Sequence, residues 1–360
     1  MSEPPGVSII VVNYNNEGFL AAAIESALAQ TDPLCEVIVV DDCSMDRSRE
    51  IIACYGDRIK PVLREANGHQ IAALNSAWPL ARYPILIFLD SDDLLLSHAV
   101  ATIAQLWTTD TVKMQFPLMI IDEAGIRLGP VAPKYPPDLT TATIRTELLR
   151  TGGSPNSPSS GNAYSRSLLD RVSADGGFEL ESSREHWMDA VLECNAPFYG
   201  EVVTLYEPLG CYRIHGSNLY AFNTINGARF AAKSHTFELK VNYLAQRCRS
   251  WGILFDSAVA LNGSIWLHEC RLCAAKLTKH TTAEFVPFTL RGATKACIRA
   301  QLPFVNRILR VIWFIGVAAA PRFLAKRLIT LRFVPSRRPI WFEKLLSKLF
   351  TVNILRTPHH

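Results

Sequence analysis

Val7-Ser-Ile-Ile-Val-Val12 is a continuous apolar, β-branched run, the pattern of a strand buried on both faces. The polar turn from Asn13 to Glu17 follows, after which Leu20, Ile24, Ala27 and Leu28 recur at helical spacing. The alternation then repeats. Glu36-Val-Ile-Val-Val40 reads as a second strand, and Ser44 as the cap of a helix whose apolar face is Ile51, Ile52 and Tyr55. Ile59 to Leu63 is a short third strand, Gln70 to Ala81 a helix, and Pro84-Ile-Leu-Ile-Phe-Leu89 a fourth strand. Strand and helix taking turns imply right-handed βαβ units, hence an α/β fold on a mostly parallel, Rossmann-like sheet.

In an open parallel sheet, ligands bind beyond the carboxyl ends of the strands. Two strands end there in acids: Val39-Val-Asp-Asp-Cys-Ser-Met-Asp46 and Phe88-Leu-Asp-Ser-Asp-Asp93. Carboxylates crowded into one turn repel one another and call for a compensating cation or donor. Asp42 and Asp46 could also serve as helix caps. The Asp90 to Asp93 cluster, directly after a buried strand, fits a divalent metal better. Mg2+ or Mn2+ takes one or two carboxylates and completes its shell with water and phosphate oxygens, which points to a nucleoside diphosphate. Neither GxxxxGK[ST] nor GxGxxG follows the first strand. Metal-bridged diphosphate without a glycine-rich loop is the logic of a nucleotide-sugar site.

The segments Val7-Ser-Ile-Ile-Val-Val-Asn-Tyr-Asn15, Val39 to Asp46, Asn67-Gly-His-Gln70 with Ala72-Ala-Leu-Asn75, and Phe88 to Asp93 resemble, in order and spacing, the family 2 glycosyltransferases of GT-A fold. The resemblance covers about residues 7 to 220 and is of the bacterial surface-polysaccharide type. It implies inverting transfer from a nucleotide-activated sugar, with the metal on a DxD motif. It places Asp42 on the base, usually uracil, with Asn13 and Tyr14 beside it, Asp90 at the ribose, Asp92 on the metal, and Gln70 at the nucleotide or diphosphate. Two positions depart from the family pattern, His69 and Ser76-Ala77, where glycines are common; they bear on which sugar is accepted.

Inversion by direct displacement needs one general base within reach of the acceptor hydroxyl. In the family this is an acid at the start of a helix well after the DxD. Counting back from Ala196-Pro-Phe-Tyr-Gly200, which resembles a family segment, makes Asp189 the base, with Glu185 one turn earlier as the alternative. Both could instead be solvated helix acids. Ser159-Ser-Gly-Asn-Ala-Tyr-Ser-Arg166 resembles the segment lining the donor-sugar and acceptor pocket, with Gly161 bringing backbone close to the sugar. Tyr212-Arg-Ile-His-Gly-Ser-Asn218 resembles the element that closes the catalytic domain, and its His215 could bind metal or diphosphate as neutral imidazole, or merely cap a turn.

The 360 residues carry a net charge of +4 that conceals an asymmetry. From Arg299 onward there are twelve Lys/Arg against the single acid Glu343, whereas the preceding 298 residues hold 25 bases and 32 acids. An acidic body excludes a uniformly basic nucleic-acid binder. The N-terminus has no positive region, the apolar run that follows it is only Val7 to Val12, and it reads as no signal peptide. Nine scattered cysteines suit a reducing compartment, and the Cys270/Cys273 pair lacks the second pair that zinc needs.

Three parts are expected: a catalytic domain over residues 1–225, a helical extension over 226–302, and a basic, apolar helical tail over 303–360. Between Pro130 and Ser160 the richness in Pro, Gly, Ser and Thr predicts a long functional loop. The apolar stretch Val311 to Ala320 is too short to span a bilayer, so the tail is expected to lie on the cytoplasmic face of the inner membrane, aromatics down and cations toward anionic lipid. The same tail could pack as a hairpin on the enzyme or between copies in a homo-oligomer. The expected partners are a UDP-sugar and a glycan or lipid-linked acceptor. The rivals are a nucleotidyltransferase on a similar sheet, which would need a basic, glycine-rich first loop, and a non-catalytic membrane scaffold.

Overall fold

The computed structural model describes residues 4–32, 34–179, 188–216, 225–278, 288–300 and 302–334. They form two compact units, Met1–Ile144 with Pro155–Ile214, and Arg145–Ser154 with His215–His360.

The first unit opens with β1 (Val7–Asn13), α1 (Glu17–Leu28), β2 (Cys35–Asp41), α2 (Ser48–Ala53), β3 (Lys60–Leu63), α3 (His69–Ala77) and β4 (Ile85–Asp90). It continues with β5 (Leu94–Leu95), α4 (Ala99–Leu106), β6 (Thr111–Gln115), β7 (Leu118–Ile121) and β8 (Arg127–Ala132). After α5 (Thr141–Thr151), which runs across the division between the units, come β9 (Asn162–Ser165), α6 (Arg166–Ala174), α7 (Met188–Tyr199), β10 (Glu201–Thr204) and β11 (Gly210–Arg213).

The main sheet has the order β10-β6-β9-β4-β1-β2-β3. Its strands run parallel except β9, which lies antiparallel between β4 and β6. Val7, Ile9, Ile10, Val11, Val39, Val40 and Ile85 to Leu89 are all but inaccessible, as expected for strands covered on both faces. Leu20, Ala23, Ile24 and Ala27 form the buried side of α1. Register decides where the acids go. Asn13 stands opposite Asp41 on β2, and Val12 opposite Asp90 on β4, so both acid-bearing turns leave the sheet at the same end. A smaller sheet, β5-β11-β7-β8, brings Arg213 at the end of β11 beside the turn after β4.

Two sequence expectations change here. The stretch from Pro130 to Ser160 holds the end of β8 and the eleven-residue helix α5 rather than one long loop. The abundant Thr hid the helix because α5 has only three large apolar residues, Ile144, Leu148 and Leu149. Ser44 does not cap α2; its hydroxyl donates to Asp41, and Asp46 instead accepts the Ser48 N–H at 3.0 Å and the Glu17 N–H at 2.9 Å.

The second unit is helical: α8 (Gly227–Ser250), α9 (Ser257–Gly263), α10 (Ile265–Leu277), α11 (Leu290–Arg299), α12 (Phe304–Ala319) and α13 (Arg322–Phe333). Its core gathers Phe230, Cys270, Cys273, Phe314, Val317 and Ile329, and burial pushes both thiols up. Among these apolar residues Glu269 accepts from Arg310 at 3.1 Å and from Arg332, whose guanidinium also lies 5.0 Å from the Trp313 ring centre. Two bases and two aromatics of the tail are therefore internal. Arg310, Arg332, Phe314 and Phe333 cannot face lipid, because the buried Glu269 carboxylate requires cations beside it. No described helix is long and apolar enough to cross a membrane.

Candidate active site

The carboxyl end of β2 is braced from within. Asp41 is fully buried and accepts from Asn13 Nδ2 at 2.9 Å, the Ser44 N–H at 3.0 Å and Arg49 Nε at 3.0 Å. Burial raises its pKa, but Ser44, Arg49 and Asn13 together hold the carboxyl below its ordinary range. The Asn13 side chain thus serves the strand ends, bonding Asp41 and, at 3.2 Å, Ser44. Tyr14, the next residue, is half exposed at the mouth of this end.

Asp42, nearly buried, forms an ion pair with Arg64 and takes the Gly68 N–H at 3.1 Å on Oδ1 and 3.2 Å on Oδ2. Its carboxylate is fixed before any ligand arrives. His69 follows with φ +62°, and Asn15 and Cys43 also lie in the left-handed region at this end of the sheet. The family's common glycine position therefore keeps glycine-like backbone although the residue is histidine, a type that tolerates this region better than most.

After β4 the chain turns through Asp90-Ser-Asp-Asp93. Asp90 accepts from Gln70 Nε2 at 3.4 Å and gives its N–H to Ser160 Oγ at 3.0 Å. Its carboxyl is pushed up to about 8, first by burial, then by the carboxylates of Asp92 and Asp189. That influence places the three acids in one electrostatic neighbourhood, although Asp189 comes from α7, about a hundred residues away in sequence. Asp93 is wholly buried, accepts the Arg213 N–H at 2.9 Å, and is likewise raised by burial and by Asp92 and Asp90.

Gln70 ties these parts together. Its Nε2 reaches Asp90 and, at 3.3 Å, Ser159 Oγ, while its Oε1 accepts the Met188 N–H at 2.9 Å, the first residue of α7. Asp189 sits on that same first turn, half buried, and borders a cleft with Gln70, Leu74, Phe88, Ser159, Tyr164 and Met188. The alternative base, Glu185, lies outside the described residues. His215 is buried just beyond β11 as the first residue of the second unit.

Two contributors escaped sequence reasoning, and a third, Tyr164, lay in the expected pocket-lining segment without being singled out. Arg213 spans the DxD turn, donating Nε to the Asp92 carbonyl at 2.8 Å and Nη1 to the Glu123 carbonyl at 2.9 Å, with Phe19 beneath its guanidinium at 5.0 Å. Its only signal was its place in Tyr-Arg-x-His. Arg64, which neutralises Asp42, has no motif at all. Tyr164 of β9 lines the cleft with a buried hydroxyl that has no hydrogen-bond partner among the described residues. At Gly161 an added Cβ would lie 2.7 Å from the carbonyl of Phe116, the residue after β6, so the glycine also admits close packing there.

The donor set suits a hard divalent cation, because buried acids that raise one another's pKa gain most from added positive charge. Among the described residues no three acids, histidines or cysteines converge tightly enough to cage an ion.

Residues 8–172 match the family described as glycosyl transferase family 2. Those residues form a domain of that family. A glycosyltransferase of Nostoc sp. is 35% identical over 225 residues, covering 59% of this chain and 66% of the relative. A UDP-Glc:alpha-D-GlcNAc-diphosphoundecaprenol beta-1,3-glucosyltransferase of Escherichia coli is 32% identical over 124 residues, covering 34% of this chain and 44% of that protein. The match thus spans just under two thirds of the first relative and less than half of the second. Staphylococcus aureus TarS 1–349, solved with UDP-GlcNAc, aligns over 91% of both chains with TM-score 0.51 and 16% identity. This family 2 chain therefore has the GT-A fold: a mostly parallel sheet flanked by helices, followed by a helical C-terminal region.

Proposed function

We propose that this family 2 protein transfers a sugar from a nucleotide-sugar donor, a UDP-sugar, to a hydroxyl of a glycan or lipid-linked acceptor, with inversion and with metal assistance. The observation that carries the reading is Gln70, bonded to both Asp90 of the DxD turn and the first residue of α7, beside the cleft that Asp189 lines, with Asp90 feeling the charges of Asp92 and Asp189. The relative acting on UDP-Glc and a diphosphoundecaprenol-linked sugar supports the donor and acceptor classes.

Asp42, fixed by Arg64 and Gly68, is the acceptor for the base N–H, with Tyr14 beside it and Asn13 bracing the strand end. Asp90 and Gln70 face the ribose and diphosphate. Asp92 would hold Mg2+ or Mn2+, which would supply positive charge against the leaving diphosphate. Asp189 takes the proton as the acceptor oxygen bonds the anomeric carbon and the bond from that carbon to the diphosphate oxygen breaks. The nucleoside diphosphate leaves, and the configuration inverts because attack and departure occur on opposite faces. Bases of the tail hold the protein peripherally at the cytoplasmic membrane surface, where a lipid-linked acceptor is presented.

Asp189→Asn tests the assignment. It should cut transfer at least about a hundredfold, the scale of one general base, while UDP binding, followed by calorimetry, stays close to wild type. Residual turnover near the wild-type rate would remove Asp189 from the role.

A further inference from the structure

Helix α12 is built inside out. At 3.6 residues per turn Phe304, Ile308, Ile312, Ile315 and Ala319 fall on one face, with Val305 at its margin. All are exposed, Phe304 by 72% and Ile312 by 57%, so the solvent side of this helix has no polar side chain along its centre. The polar residues Asn306 and Arg310 lie on the opposite, buried side, Arg310 against Glu269. A helix of a soluble domain normally has this the other way round. Ile298 at the end of α11 and Phe323 at the start of α13, exposed by 61% and 70%, add apolar surface at either end.

Charge identifies what covers this face. Between residues 288 and 334 the sequence has nine Lys/Arg and no Asp or Glu. With Arg310 and Arg332 spent on Glu269, exposed bases remain at both ends of the unit's outer helices, Arg299 on α11 and Arg322, Lys326 and Arg327 on α13. Apolar side chains in the middle and cations at the ends match an anionic lipid surface, whose headgroups meet the bases while acyl chains receive the isoleucines. A second copy would bring like charge to like charge. We propose that the outer face of α12, flanked by the basic ends of α11 and α13, is the surface by which this chain lies on an anionic bilayer. The inference rests on the proposed membrane association and gives that reading a specific surface.

The test uses the full chain and sedimentation with vesicles. Wild type should pellet with phosphatidylglycerol and phosphatidylethanolamine vesicles and remain in solution with phosphatidylcholine. Ile308→Asn with Ile312→Asn should lower the bound fraction at least about tenfold, since each removes apolar surface that the acyl region would bury, and Lys326→Glu with Arg327→Glu should do likewise. All should keep wild-type circular dichroism and metal-dependent UDP binding, because every changed side chain is solvent-exposed. Pelleting of the isoleucine pair at the wild-type level would overturn the proposal. So would a wild-type dimer in light scattering that this pair converts to monomer, which would make a second copy the occupant. Vesicle binding lost with UDP binding kept refutes this surface alone; vesicle binding kept with no UDP binding refutes the catalytic reading alone.

Discussion

The side-chain carbonyl of Gln70 accepts the main-chain N–H of Met188 at 2.9 Å, so a residue on the first turn of α3 holds the first residue of α7. The same amide gives its N–H to Asp90 and Ser159. One short side chain thereby fixes the distance between the DxD turn and the turn that bears Asp189.

Gln70→Ala should therefore damage turnover more than donor binding. A catalytic group displaced by about 1 Å can cost about a hundredfold in rate, and a fall of that order in kcat is expected, with KM for the donor changed much less. Steady-state kinetics of the variant gives the answer; a change confined to KM would mean that Gln70 serves the nucleotide and not α7.

Asp41 should show itself through pH. Its folded pKa lies below the ordinary 3.8, so the ionised carboxylate stabilises the fold above that value, and the contribution disappears as pH falls through the folded pKa. Asp41→Asn should cost about 1.5–3 kcal/mol at pH 7, the range for hydrogen bonds to a charged group. The gap from wild type should narrow progressively below about pH 4. Denaturant unfolding at several pH values measures it, and a gap constant down to acid pH would contradict the bracing role.

In the helical unit, Glu269→Gln should leave Arg310 and Arg332 buried without a counter-charge. Breaking such a group by removing one member costs about 3–5 kcal/mol. Urea unfolding should report a loss of this size. Glu269→Gln combined with Arg310→Met and Arg332→Met should recover part of it, since apolar replacement of the whole group removes the stranded charges.

The early strands could be read from the sequence because each is a β-branched apolar run covered on both faces, as Ile9 and Val39 illustrate, and the acids that follow them mark the carboxyl end of the sheet. Strand β9 could not. Asn162-Ala-Tyr-Ser165 is short and half polar, and it becomes a strand only through long-range pairing with β4 and β6. The same distance in sequence hid Arg213, whose bonds reach back to the turn after β4, and Arg64, whose partner Asp42 lies on another loop. In the tail, composition gave the right excess of bases, but Arg310 and Arg332 look no different in sequence from Lys326 and Arg327; only packing around Glu269 separates the internal pair from the exposed one.

The most direct measurement of the central claim is release of nucleoside diphosphate from a panel of UDP-, GDP- and TDP-sugars, with Mg2+ or Mn2+ and with chelator. The account predicts release of UDP from at least one UDP-sugar, dependent on the added ion and abolished in Asp92→Asn. Release that persists undiminished in chelator or in Asp92→Asn, or none from any donor by a protein that folds normally, would contradict it.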